Sequence, residues 1–349
     1  MNVRRITFVI EDFILGGPTQ QLLDRFIIGY NRDGDFHRPE SQISVAVPSG
    51  FNPDKLESRM REYKLRLAQL DLRTVREIDA FVFASASGFG FGNLSLLEGT
   101  LLNMKRGTRS FILGQMGNDP VAARRLYGVC TLRGVPLAAG SAAATPFLLP
   151  DIRIPPDSHM SEALIVTHGR YPYAELDALE ALMPFIEMRH GALSEIQDIR
   201  TLEGSEVWEA GHSGQWSKLL LSAAFSRSNN IKGDPEKDGR TQDAAGLGLI
   251  ENLAKKPRAL LMAHADGFRS AVLVLDGAIG DMNLAIRFPE GRIVSTQLYR
   301  PPSPMNDQYS RLAGVMEDYF TSGTPPWTEQ RSFLISEILG RLSPRGNNA

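Results

Sequence analysis

A chain of 349 residues, 42% of them apolar and 22% charged, is long enough for two domains of ordinary size, each with its own core. Its 38 basic residues against 40 acidic ones leave a net charge of −2, so no basic excess points to nucleic acid, and no run of acidic residues forms a tail. A single cysteine excludes an internal disulfide and a multi-cysteine zinc site, and no apolar run approaches the ~18 residues of a membrane span. The expectation is a cytoplasmic protein with neither membrane nor nucleic-acid partners.

In chain order, short apolar runs at 6–10, 43–47, 80–84 and 110–113, with a fifth at 135–140, have the pattern of parallel strands buried on both faces. Helical patterns lie between them. The segment 20–30 carries Leu22, Leu23, Phe26 and Ile27 on one stripe. The segment 53–63 starts with Pro53 after Asn52, and Asp119-Pro120 opens a helix to about residue 132 that Gly134 closes. This alternation predicts a Rossmann-like, doubly wound parallel sheet over residues 1–150. Pro146, Pro150, Pro155 and Pro156 then mark an interdomain connector. Beyond it, 163–167, 196–202, 259–263, 270–275, 283–287 and 293–298 read as strands, with Asp266-Gly267 at the tip of a hairpin. Consecutive strands joined by turns predict an open, mostly antiparallel sheet, hence an α+β domain over 151–349. A helix at 174–189 is expected to pack on it, a polar loop occupies 229–243, and helices at 307–321 and 328–341 end the chain.

A dinucleotide-binding first domain normally carries G-x-G-x-x-G after its first strand, because those glycines admit a pyrophosphate to the N–H groups of a helix N-terminus. Here the first strand runs instead into Glu11-Asp12-Phe13-Ile14-Leu15-Gly16-Gly17-Pro18-Thr19. Gly16 and Gly17 permit close backbone approach, and Thr19 either caps the helix or touches phosphate. A Gly/Ser-rich loop after the 80–84 strand brings Ser85, Ser87 and Gly88 to the carboxyl edge of the sheet, as cofactor contacts or as a flexible cover. The second strand ends in Val47-Pro48-Ser49, with no acid for a ribose hydroxyl. In the second domain His168-Gly169-Arg170-Tyr171-Pro172-Tyr173 follows a strand. Arg170, Tyr171 and Tyr173 suit a hydroxyl-rich ligand, and His168 is the best general acid or base; a solvated loop is the plain alternative. Asp177 and Glu180 lie one helical turn apart, as a site pair or a solvated face. Cys130 reads as a buried structural thiol, and Trp208 and Trp216 as packing anchors. No histidine spacing supports a metal site, and no G-x-S-x-G supports a hydrolase.

Several strings have a shared likeness: Asp79-Ala80-Phe81-Val82-Phe83-Ala84, then Phe111-Ile112-Leu113-Gly114-Gln115-Met116-Gly117, then Arg133-Gly134-Val135-Pro136-Leu137-Ala138-Ala139-Gly140, and a late helix with Gly323 and Pro325-Pro326. Together they resemble the glucose–fructose oxidoreductase and inositol dehydrogenase family. The resemblance implies a Rossmann domain followed by an open antiparallel sheet, use of NAD or NADP, and oxidation of a sugar or polyol. It also implies a homo-oligomer formed through the sheet face. The family's Glu-Lys-Pro motif corresponds to the stretch 114–117, which offers Gln115 as a cofactor contact but no lysine. The family's helical histidine corresponds to Leu176 or Asp177, so Asp177 joins His168 as a proton-transfer candidate. The expectation is a divergent NAD(P)-dependent sugar or polyol oxidoreductase-like protein that lacks the usual lysine and histidine. Its alternatives are a non-catalytic binding or partner subunit, and a keto-sugar lyase or hydratase without net redox.

Overall fold

The computed structural model describes residues 3–48, 54–117, 119–191, 196–239 and 243–342. Contacts group the chain into two compact units: one runs from the N-terminus to Thr145 and resumes at Pro301, and the other spans Pro146–Arg300.

The first unit contains β1 (Arg4–Ile10), α1 (Pro18–Ile27), the hairpin β2 (Tyr30–Arg32) and β3 (Asp35–His37), β4 (Ser41–Ala46), α2 (Asp54–Glu62), β5 (Arg66–Leu67), α3 (Leu72–Glu77), β6 (Ala80–Ala84), α4 (Leu94–Asn103), β7 (Arg109–Leu113), α5 (Pro120–Arg133) and β8 (Leu137–Gly140). Six of these strands form one parallel sheet in the order β5-β4-β1-β6-β7-β8. Counted within the sheet this is 3-2-1-4-5-6, the doubly wound order whose direction reverses between the first and fourth strands. The apolar runs are continuous because both faces are covered. Phe8 packs with Leu22 and Phe26 of α1 on one side, while Val9, Phe81 and Phe83 join Leu97 and Leu126 on the other. The signals for α5 act as anticipated: the Asp119 carboxylate accepts the Val121 and Ala122 N–H groups at 2.8 Å, and Gly134 closes the helix in the left-handed conformation. The expected helix 20–30 starts earlier, at Pro18, and ends earlier, at Ile27, because Gly29 turns the chain and Tyr30 opens β2.

The second unit contains β9 (Phe147–Leu149), β10 (Glu162–Thr167), α6 (Tyr173–Glu187), β11 (Ile196–Glu203), α7 (Ser205–His212), α8 (Lys218–Phe225), α9 (Pro235–Asp238), α10 (Leu249–Leu253), β12 (Arg258–His264), β13 (Arg269–Val274), β14 (Asn283–Arg287) and β15 (Ile293–Tyr299). Its sheet has the order β11-β12-β13-β10-β14-β15-β9; β10 and β13 pair in parallel and every other pair is antiparallel. One face packs Leu164, Val166 and Leu273 against Leu220, Leu221 and Trp216. The Trp216 indole N–H donates to the Val207 carbonyl at 2.8 Å, which makes this residue a packing anchor. Part of the expected connector is strand instead, since Phe147–Leu149 pairs with β15 at the sheet edge. Of the expected polar loop, residues 240–242 lie outside the described residues, and the rest includes the single-turn α9 capped by Asp234.

The two last helices, α11 (Gln308–Ser322) and α12 (Glu329–Leu342), belong to the first unit, whereas a boundary at residue 150 assigns them to the second. The reason is burial. Leu312, Met316 and Phe320 share the core of Phe8 and Phe26, and α12 runs along the edge strand β8. Among the described residues no helix is long and apolar enough to cross a membrane.

Candidate functional site

The strand order fixes one crevice in the first unit, outside the carboxyl ends of β1 and β6. One lip is the segment 11–19, which leads to α1. The Gly17 N–H donates to the Ile14 carbonyl at 3.0 Å, Pro18 has no N–H, and the Gln21 N–H is taken by the Gly17 carbonyl at 3.0 Å. Thr19 and Gln20 therefore carry the donor groups at the mouth of α1, where no side chain caps the helix. Gly16 is exposed, and its N–H donates to the Gln20 side chain at 2.6 Å. Thr19 is fully buried, and its hydroxyl donates across to the Ser85 carbonyl at 2.6 Å. The hydroxyl is thus a tie between the two lips and not a cap.

The other lip is the loop after β6. The Ser85 hydroxyl donates to the Gly90 carbonyl at 2.9 Å and lies 2.8 Å from the hydroxyl of Ser87, which is exposed. Gly88 has φ +65°, and a Cβ there would lie 2.8 Å from Pro18 Cγ, so a glycine lets this loop rest on the start of α1. The stretch 114–117 backs this loop. Gln115 is buried, and its N–H donates to the Phe89 carbonyl at 2.8 Å. Met116 is 1% exposed and lies in the core with Phe83 and Phe91. Two residues outside the sequence motifs bind the lips together: the Glu11 carboxylate accepts the Gly92 N–H at 2.7 Å, and the Asp12 carboxylate accepts the Ala86 N–H. Their signal in the sequence is acidic side chains directly after β1, at positions where the fingerprint has glycine.

In the second unit the segment 168–173 leaves β10 and enters α6. His168 and Arg170 are exposed, and the Arg170 guanidinium lies over the Tyr173 ring at 6.0 Å from its centroid. The loop is held at Gly169 from both sides. Its N–H donates to Asp276 at 2.8 Å, and its carbonyl accepts from Arg258 at 2.9 Å. Arg258, at the start of β12, also donates to Glu175 at 2.7 Å, approaches Asp276 at 3.5 Å, and lies 6.0 Å from the centroid of the Tyr171 ring. Burial pushes the Tyr171 phenol above its ordinary pKa, aided by Glu175 and Glu203 and opposed by Arg258. Tyr171 is therefore a neutral hydroxyl donor across the physiological range. Asp177 is engaged by Arg300 at 2.7 Å. Glu180 is buried at 1% exposure, which removes the solvated-face reading of this helical pair. Arg258, Glu175 and Asp276 were invisible to motif reasoning, because no local pattern links three residues so far apart.

No family model matches the chain, and no match was found among curated proteins. Solved structures do match along the whole length. GenD2 of gentamicin A biosynthesis, in complex with NAD, aligns with a TM-score of 0.58 at 13% identity over 99% of this chain and 96% of that one. Apo scyllo-inositol dehydrogenase from Lactobacillus casei aligns with a TM-score of 0.56 at 11% identity, covering 97% and 95%. Biliverdin reductase from Synechocystis, with biliverdin and NADP+, aligns with a TM-score of 0.53 at 12% identity, covering 97% of each chain. At these identities the likeness is one of architecture: the chain has the fold of the glucose–fructose oxidoreductase and inositol dehydrogenase family.

Proposed function

We propose that the chain is a divergent NAD(P)-dependent sugar or polyol oxidoreductase-like protein, in which the first unit holds a nicotinamide dinucleotide and the second a carbohydrate-like ligand. The observation that carries this reading is the reversal of strand order between β1 and β6, with the N-terminus of the ten-residue α1 at that crevice. Two solved proteins of this fold, GenD2 and the Synechocystis biliverdin reductase, contain NAD and NADP+ respectively. The donor set here fits such a group: the Gln20 N–H at the N-terminus of α1 suits a phosphate, and the exposed Ser87 hydroxyl suits a ribose or phosphate oxygen. A bound dinucleotide would supply hydride chemistry. This chain's own residues would bind the ligand, through the Arg170 donors and the faces and hydroxyls of Tyr171 and Tyr173, and His168 would hold the proton of the reacting hydroxyl. Asp177 has a different part in this reading: its ion pair with Arg300 supports a positioning carboxylate.

A second reading, a binding protein without turnover, is favoured by Met116, whose side chain is in the core within the stretch that carries the family's lysine. Fluorescence titration with NADH and NADPH, followed by a panel of sugars and polyols monitored by nicotinamide absorbance, tests both. Saturable binding with turnover is expected. Binding without turnover selects the second reading, and failure of both nucleotides to bind removes the dinucleotide from either.

A further inference from the structure

Nothing about a doubly wound sheet requires the two lips of its crevice to bond to each other. Here they do so at several points: Thr19 to the Ser85 carbonyl, Pro18 against Gly88, Glu11 to the Gly92 N–H and Asp12 to the Ala86 N–H. The Asp12 bond differs in kind from the first two. It sets an anion on a backbone donor of a buried residue two positions beyond the end of β6. A ligand entering at the strand reversal meets that donor already satisfied and a negative charge beside it.

We infer that Asp12 is an affinity-setting residue of the crevice, an internal carboxylate that occupies the Ala86 N–H and disfavours anionic nucleotides until it is displaced. The inference rests on the dinucleotide reading of the first unit. The pyrophosphate of a dinucleotide is doubly negative, and with Thr19 fully buried α1 offers it the Gln20 N–H, which leaves little to offset a nearby carboxylate. Asp12 is exposed, whereas Thr19 is fully buried, so removing the Asp12 carboxylate leaves the packing of α1 intact. Glu11 acts on Gly92, farther along the loop, and makes a second tie at the same mouth.

The test is NADH and NADPH titration of the full chain and of Asp12→Ala and Asp12→Asn, with amide exchange of the segment 85–92 measured in parallel. Asp12→Ala is expected to bind about tenfold tighter, the scale of one charge–charge contact in partly solvated surroundings. Asp12→Asn, which keeps an acceptor but loses the charge, is expected to fall between Asp12→Ala and the parent. The Ala86 amide is expected to exchange faster in Asp12→Ala without nucleotide, and to be protected again when nucleotide binds. Parent and Asp12→Ala binding with equal affinity would overturn the inference and leave the dinucleotide reading standing. If neither the parent nor any variant bound either nucleotide, that reading would fall and the inference with it.

Discussion

Replacing Arg258 by methionine removes the one guanidinium that Glu175 and the Gly169 carbonyl share. Glu175 keeps only 6% of its side chain exposed, so it would be left as a buried charge without its partner. Breaking such a pair from one side typically costs about 3 kcal/mol or more. Arg258→Met is therefore expected to lower the urea midpoint of the second unit. Adding Glu175→Gln, which removes the stranded charge, is expected to recover part of the loss; a double variant no more stable than the single one would refute this account. These side chains lie 83 positions apart, and Arg258 follows Lys255-Lys256-Pro257, a string that reads as plain basic surface. Tertiary pairing of this kind leaves no local trace, whereas Cys130 was legible because its helical neighbours are apolar. That thiol is 2% exposed, and burial pushes it up to about 12. It should resist iodoacetamide at pH 8 in the native protein and react at once in denaturant; rapid native labelling would contradict the packing.

At the level of elements, α12 shows why helical spacing alone was a partial guide. The sequence marked a helix at 328–341, but its partner emerges only from the hydrogen bonds. Glu329, Ser332 and Ser336 lie on one helical face and meet β8 and the segment that follows β7: Leu137 donates to Glu329 at 3.5 Å, Ala139 to Ser332 at 3.3 Å and Met116 to Ser336 at 3.0 Å. The Ala139 carbonyl in turn accepts from Trp327 at 2.8 Å and Ser332 at 2.9 Å. The helix thus satisfies the outward groups of an edge strand that would otherwise be open to pairing with other chains. Burial raises the Glu329 carboxyl above the usual carboxylate range, against the lowering effect of the Leu137 N–H. A carboxyl whose folded value is raised binds its proton more tightly in the folded state. It therefore subtracts stability as the pH rises from its ordinary value to its raised one, and has no such effect below both. Glu329→Gln does not titrate, so the variant is expected to gain thermal midpoint over the parent on going from pH 4 to pH 7. A gap that shrinks over that interval would reverse the sign.

For the molecule as a whole, the architecture was more legible than its chain division. Alternating apolar runs and helical stripes specify a doubly wound sheet, and closely spaced strands with an Asp-Gly turn specify an antiparallel one, because period and turn chemistry are local properties. The membership of α11 and α12 is decided instead by which exposed core they cover, and that core is built from residues some 300 positions earlier. Phe8, Phe26, Leu312, Met316 and Phe320 form one cluster, and the Tyr319 hydroxyl donates to the Pro136 carbonyl at 2.7 Å. Residues 1–145 alone would leave this apolar face and the β8 edge uncovered, whereas Pro146–Arg300 carries its own core around Val166, Trp216 and Leu273. Expressed separately, 146–300 is expected to melt cooperatively by circular dichroism. The fragment 1–145 is expected to be poorly folded until a chain containing 301–342 is added, whereupon cooperative melting should return. A fragment 1–145 that melted cooperatively by itself would show that the late helices are an accessory to the first unit, and the boundary at residue 150 would then describe its folding better than the division seen in the contacts.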